Sequence, residues 1–331
     1  MSNQPQIISS ENQLKIADLL LLLVAVFTLS LAPILIRFSE TEISPNATIF
    51  NRYWIATVFL GLWYGFKTIG FRDASNFSKL EETYTIRDIV TFLVLAMINL
   101  ACLISWAWSL TQTSVANSNL LHNMTPIFAT VGGWLFLNHH FNGRFIWGMI
   151  LALAGTGIIG ITDWQIADDR FTGDALALFS AFFSGVGYLI IEDLRKKFSA
   201  ITIILWSCSL RTLLILPVIL TSQERIFPIS WLGWLAVISL GILCQAIGNG
   251  ILVYSLKKFS SGFISLFILL DPVIAAILSA VIFAESLSLT NWLAFMVILT
   301  GIYLAKSGGD AEKNNHSSLK VESYRYTTTN E

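Results

Sequence analysis

Runs such as "IADLLLLLVAVFTLSLAPILI" (16–36) recur along the whole of this 331-residue chain, each apolar and nearly free of charge. At ~1.5 Å per residue, about 18 or more such residues in a helix cross ~30 Å of hydrocarbon, and soluble cores do not repeat that pattern. Composition agrees: 55% of residues are hydrophobic, 12% are charged and the mean hydropathy is +0.69, so the chain reads as an all-α membrane protein. Ten transmembrane helices are predicted, at 17–36, 49–69, 88–110, 114–137, 144–162, 174–194, 200–221, 231–256, 260–284 and 288–306. The segment "MSNQPQIISSENQLK" lacks a basic region leading into a short apolar core, so the first span is expected to stay in place and not to be removed as a signal peptide. Residues 1–15 and 307–331 are polar without a periodic apolar face and are expected to be disordered tails.

Lys and Arg resist translocation and mark the cytoplasmic side. Lys15, Lys67, Arg72, Lys79, Arg87, Arg144, Arg195, Lys196, Lys197, Lys257, Lys258, Lys306, Lys313, Lys320 and Arg325 fall on one side of the ten-span arrangement. Only Arg37, Arg170 and Arg225 fall on the other. Both termini are therefore placed in the cytoplasm, in an integral multi-pass protein of the plasma (inner) membrane. Trp147, Trp231, Trp234 and Trp292 lie near span starts, where interfacial aromatics belong.

Sliding the chain by 146 residues lays Pro126 on Pro272, Gly155 on Gly301, Leu120 on Leu266, Ser109-Leu110 on Ser255-Leu256 and Asn99 on Gln245. Arg52 and Arg211 correspond with a different offset, because the 2/3 loop is longer than the 7/8 loop. Two five-helix repeats are expected, 16–162 and 173–306. An odd number of spans per repeat makes the halves insert in opposite senses, an inverted 5 + 5 arrangement that offers two similar-energy openings to opposite sides.

The two-repeat pattern, the Arg in "NRYWIA" (51–56), the fourth-span "NLLHNMTPIFATVGGWLFL" (119–137) and its partner "LFILLDPVIAAILSAVIFAES" (266–286) resemble the drug/metabolite transporter superfamily, specifically its EamA family. Where that family closes both helices with Gly-Glu, this chain has Ala284-Glu285 in the second copy and Asn138-His139-His140 in the first. The resemblance implies an exporter or exchanger of small organic solutes, among amino acids, other metabolites and drugs.

Asp271 and Pro272 interrupt the most apolar stretch. A lipid-facing Asp there would cost ~2.5 to 3.5 kcal/mol, so it is expected to face the bundle interior. Pro272 has no N–H for the carbonyl of Ile268, and Pro126 none for that of His122, so bare acceptors are predicted at both sites. Asp271 then binds solute or a proton, or it pairs with an Arg to fix packing. Asn119, His122, Asn123, Pro126 and Thr130 recur at helical spacing and predict one polar face. Gln245, Gly248 and Asn249 form a shorter stripe, and Ser180, Ser184 and Tyr188 another. Singly these residues read as interhelical hydrogen bonds; together they read as a lined cavity for a small-molecule solute. His122 is either a satisfied core histidine or a proton-responsive group. Arg52 and Arg211 either snorkel or hold a neighbouring group, or bind an anionic solute such as a sugar phosphate or nucleotide sugar.

Cys102, Cys208 and Cys244 lie in apolar segments with no disulfide or metal spacing, and no cofactor is expected. "GTGIIG" (155–160) spells a dinucleotide fingerprint but sits inside a span, where small residues serve close helix packing. No Walker sequence and no feature for nucleic acid is present. A secondary transporter of an amino acid-like or related metabolite is the reading favoured over an intramembrane enzyme, which would need a fuller reaction centre, and over a receptor, which would carry a folded soluble portion. The partners expected are the lipid bilayer and the solute, with a homodimer one state open to such a chain.

Overall fold

The computed structural model describes residues 4–70, 84–161, 171–221, 224–283 and 287–308, and all regular structure among them is helical. Ten rods follow in order. They are α1 (Gln4–Ser30) with α2 (Ala32–Ser39); α3 (Pro45–Gly70); α4 (Ile86–Gln112); α5 (Val115–His122) with α6 (Thr125–Leu137); and α7 (Gly143–Ile161). The second set is α8 (Phe171–Leu194); α9 (Ala200–Thr221); α10 (Trp231–Ser239) continued by a π segment (Leu240–Gly248) and α11 (Asn249–Ser255); α12 (Ser261–Phe267) with α13 (Leu270–Phe283); and α14 (Leu289–Ser307). Eight rods among the described residues are long and apolar enough to cross a membrane. The two that fall short are α7, whose apolar stretch Gly143–Ile158 is shorter, and α3, where Asn51, Arg52 and several aromatics lower the hydropathy. The Gly-Glu counterpart Ala284-Glu285 and the tail 309–331 lie outside the described residues.

The chain differs from expectation at its start. Residues 4–15, expected to be disordered, continue into α1 without a break. No Gly or Pro separates them from the apolar run, so the helix nucleated there extends outward at little cost. Later rods start on hydroxyl caps: the Ser114, Ser230, Ser260 and Ser288 hydroxyls accept the N–H of Asn117, Gly233, Phe263 and Asn291 at 3.0–3.3 Å.

Packing follows the repeat. Exchanging the halves, rod n for rod n + 5, maps the pairs α7–α14, α3–α9 and α6–α12 onto themselves. It also turns α4–α8 into the contacts of the first rod with α10 and the π segment, α6–α8 into α1–α13, and α3–π segment into α4–α9. The halves are therefore interleaved, each rod burying its face mainly against the opposite repeat. At the α7–α14 crossing small residues let backbones touch: a Cβ on Gly301 would lie 2.6 Å from Gly148 O, and one on Gly155 2.9 Å from Ile298 N. "GTGIIG" is thus a packing device at Gly155, while Gly157 meets only Leu120.

The surface is apolar, with Leu62, Trp63, Phe66, Phe136, Trp147, Trp231 and Tyr303 all exposed, whereas Asn51, Thr130, Ser180, Glu192 and Gln245 are buried. That inversion suits a hydrocarbon solvent. Trp234 departs from the interfacial expectation and stacks on Phe227, centroids 5.9 Å apart, against the core around Ile219 and Val237. Ion pairs gather loops at one end of the bundle and hydrogen bonds at the other. Lys258 meets Asp18 at 2.5 Å and Lys197 meets Asp88, joining the 8/9 and 6/7 connections to the starts of rods 1 and 3. At the other end Glu42 accepts the N–H of Ile229 (2.9 Å) and Ser230 (3.0 Å), and Thr113 donates to Asp174.

Candidate functional site

Two rods break near mid-length, at 123–124 between α5 and α6 and at 268–269 between α12 and α13. Each break precedes a proline, Pro126 or Pro272, whose ring and missing N–H prevent a continuous helix. The backbone accounting corrects the sequence reading. Ile268 O is not bare, since the Asp271 N–H reaches it at 2.8 Å, and His122 O accepts the Thr125 hydroxyl at 2.8 Å. A three-residue backbone turn thus replaces the bond that Pro272 removes, and a side-chain hydroxyl the one that Pro126 removes. The break also ends the single polar stripe expected on the fourth span. Thr130 is buried beyond it, its hydroxyl on Met149 Sδ (3.6 Å) and facing Gly262 of α12. Asn119 is exposed, and Asn123 is half-buried at the C-cap of α5.

Each break is held by a serine of the opposite repeat, from rod 1 or rod 6. Ser30 Oγ lies 2.5 Å from Asp271 Oδ1 and also reaches Val26 O at 2.9 Å. Asp271 itself sits in the first turn of α13, where the helix N-terminus favours a carboxylate. In the other half His122 Nδ1 lies 2.8 Å from Ser180 Oγ, whose hydroxyl donates to Ala177 O at 2.6 Å. The serine hydroxyl thus joins the imidazole to the α8 backbone. Trp106 flanks the imidazole, ring centroids 5.9 Å apart, and its buried Nε1 finds no acceptor among the described residues.

Two arginines face the interior. Arg52 Nε donates to Gln245 Oε1 at 3.0 Å, and the same oxygen accepts Asn249 Nδ2 at 3.2 Å. Gln245 and Asn249 are four residues apart and so share a face, and the π segment leaves Cys244 O to the Asn249 N–H. Of the two arginines, Arg52 is the one whose charge acts on Asp271. Arg211, midway along α9, donates to the Tyr53 hydroxyl at 3.1 Å and lies 5.1 Å over its ring. Tyr188 is within electrostatic reach of both Asp271 and Arg211. Arg52, Gln245, Asn249, Asp271, Tyr188 and Arg211 thus form one neighbourhood, with His122 bound separately through Ser180. Neither arginine snorkels to an interface.

Sequence reasoning missed Ser30 and Tyr53. Ser30 is one serine in an apolar run with no periodic signal, and Tyr53 was overshadowed by its neighbour Arg52. Asn99 was noted only as the repeat mate of Gln245. In the structure it lines a cavity with Tyr53 and Arg211, so each arginine faces a polar residue of a repeat-related rod. No cluster of three or more His, Cys, Asp or Glu able to hold a metal occurs among the described residues.

The two ends of the bundle differ. From Ser261 to Phe267, α12 is wholly buried, whereas its repeat mate α5 has Asn119 exposed and Leu120, Leu121 and His122 only half-buried. The α12 end is locked by Glu192, which is 1% exposed: its Oε2 accepts the Ser261 N–H at 2.7 Å and its Oε1 meets His139 Nε2 at 3.0 Å. Arg195 reinforces it, donating to Val253 O (3.0 Å) and Phe198 O (2.6 Å).

This geometry has relatives. An uncharacterized transporter, YxxF, of Bacillus subtilis (strain 168) is 24% identical over 278 residues, covering 81% of this chain and 83% of its own length. A WAT1-related protein of Arabidopsis thaliana is 23% identical over 256 residues, 75% of this chain and 65% of its own. A crystal structure superimposes with a TM-score of 0.73 at 15% identity, covering 87% of this chain and 96% of that one, a likeness of fold. The profile of the EamA-like transporter family matches twice, at residues 16–161 and 171–306, once over each set of five rods. The chain is a multi-pass membrane protein and belongs to the EamA-like transporter family.

Proposed function

We propose that the protein is a secondary transporter of a small organic metabolite, working by alternating access through ten spans with both termini in the cytoplasm. The observation that carries this reading is the asymmetry between repeat-related ends: α12 is buried and locked by Glu192, while α5 is open. Two halves with matching packing can exchange these roles, and exchanging them moves the opening from one side of the polar interior to the other. Asp271, Arg52, Gln245, Asn249 and Tyr188 supply groups for solute contact or coupling, with His122, Asn123 and Asn119 on the open side.

The lysine- and arginine-rich connections gather at the α12 end, so in this orientation the open end faces outward. Purified protein reconstituted in liposomes is expected to carry labelled amino acids or organic acids down a gradient, with saturation. Saturable flux that is no greater than in protein-free liposomes, across such a panel and with a proton gradient of either sign, would remove the transport reading.

A further inference from the structure

Fixed charge within the spans is unbalanced. Well inside the bundle, the described acidic and basic side chains are Arg52, Arg211 and Asp271, because Glu192, Asp18 and Asp88 sit at the α12 end with their own partners. Asp271 is matched by Arg52 and the Ser30 hydroxyl. Among the described residues nothing acidic matches Arg211: the groups facing it are Tyr53, Cys208, Cys102 and Tyr188. Its one hydrogen bond to a neighbouring side chain is to the Tyr53 hydroxyl, and its buried Nε–H has no acceptor among the described residues. A guanidinium presents a fork of donors matched to an oxyanion, and leaving one donor unfilled in a buried position is costly.

The space beside Arg211 is suitable for that oxyanion. A cavity with about 20 Å³ of room for a water-sized body lies between α3, α4 and α9, and its polar lining is Tyr53, Asn99 and Arg211. That is room for one water-sized group, such as a single carboxylate oxygen, with the rest of the solute extending out of it. Around the polar group the wall is hydrocarbon, including Leu100, Leu103 and Leu214. A phosphate, with four oxygens to fill, would meet too few donors in so small a space, whereas a carboxylate brings the acceptor and the negative charge that Arg211 lacks. A cation would add to the positive charge there.

We infer that Arg211, held by Tyr53 and flanked by Asn99, is the anchoring subsite for the carboxylate of an organic monoanion whose adjoining part is apolar. This rests on the transport reading above and names its solute class. Asp271 then acts on the coupling side, with Arg52, and is not the counter-ion of a cationic solute.

The test uses purified full-length protein and three monocarboxylates, acetate, 4-methylpentanoate and benzoate, each paired with its neutral amide, at constant ionic strength. Thermal unfolding reads binding. At least one carboxylate is expected to raise the midpoint, with its amide needing about tenfold more or higher for the same shift, the scale of a charge-assisted hydrogen bond. Arg211→Gln should abolish the shift. Tyr53→Phe, which frees the guanidinium but keeps the ring, should weaken it severalfold and serves if Arg211→Gln does not fold. Amides matching their acids, no shift with any of the three acids, chloride protecting equally, or binding unchanged in Tyr53→Phe would each overturn the inference. Flux of the same compounds in proteoliposomes separates the two readings. Charge-selective binding without flux removes transport and keeps the subsite; flux of amides but of no carboxylate keeps transport and removes the subsite.

Discussion

The α7–α14 crossing offers a perturbation whose size can be worked from distances. In Gly301→Ala the new methyl would sit 2.6 Å from Gly148 O and 2.9 Å from Ala152 Cα, both backbone atoms that cannot rotate away. Ordinary contact begins near ~3.5 Å, so the helices must part by up to about 1 Å, and a gap of that size forfeits roughly a quarter to a half of the dispersion well for each neighbouring pair. Overpacking of this kind costs about 1–3 kcal/mol, which lowers the unfolding midpoint by about 1.5–4 °C in a chain of this size. Gly148→Ala meets the mirror-image contact, 2.5 Å from Gly301 O and 2.8 Å from Ala305 Cα, and should cost a similar amount. The double variant should cost less than the sum, because the first methyl has already parted the helices. Gly61→Ala is the control: its Cβ meets nothing within 4 Å, so the substitution should be neutral or stabilising. Unfolding in one detergent, followed by intrinsic tryptophan fluorescence, measures all four. A Gly301→Ala midpoint equal to or above that of the parent protein would refute the close backbone crossing.

Three other outcomes follow from the site and its locks. Asp271→Asn keeps an acceptor for Ser30 but removes the charge facing Arg52; flux should fall about tenfold or more while the folded yield holds, and parental flux with unchanged pH dependence would reduce the Asp-Pro pair to a packing device. Glu192→Gln removes the charge that holds the Ser261 N–H and His139, so a cysteine placed at Ser265, 2% exposed, should become reactive to a thiol reagent applied at the α12 end; unchanged protection would show that the lock lies elsewhere. Outside the spans, the Ser230 hydroxyl and the N–H groups of Ser230 and Ile229 hold the Glu42 carboxyl below its usual range. Its contribution is therefore fully present above the ordinary carboxylate pKa and is lost as pH falls through the lowered value, so Glu42→Gln should change stability at neutral pH and converge with the parent in strong acid. A difference that instead widened on acidification would contradict the clamp.

Much of the fold is determined locally and was legible in the chain. Apolar length sets where helices can cross lipid, because the solvent rewards hydrocarbon residue by residue. The repeat is legible at Pro126 and Pro272, since a proline breaks any helix whatever surrounds it. Charge placement is local too, which is why the basic connections sort to one end. What the breaks do is not local. The Ile268 carbonyl finds its donor in the Asp271 N–H and the His122 carbonyl in the Thr125 hydroxyl, and the polar stripe from Asn119 to Thr130 is interrupted by the break at 123–124. The partners of the ionisable groups are less legible still. Ser30 lies 241 residues from Asp271 and Arg52 lies 193 from Gln245, and no period or propensity links such pairs. Only interleaved packing of the two repeats brings them together. The same packing leaves Arg211 facing Tyr53 with a donor to spare, and buries α12 while its repeat mate α5 stays more exposed, although the two halves share one family pattern.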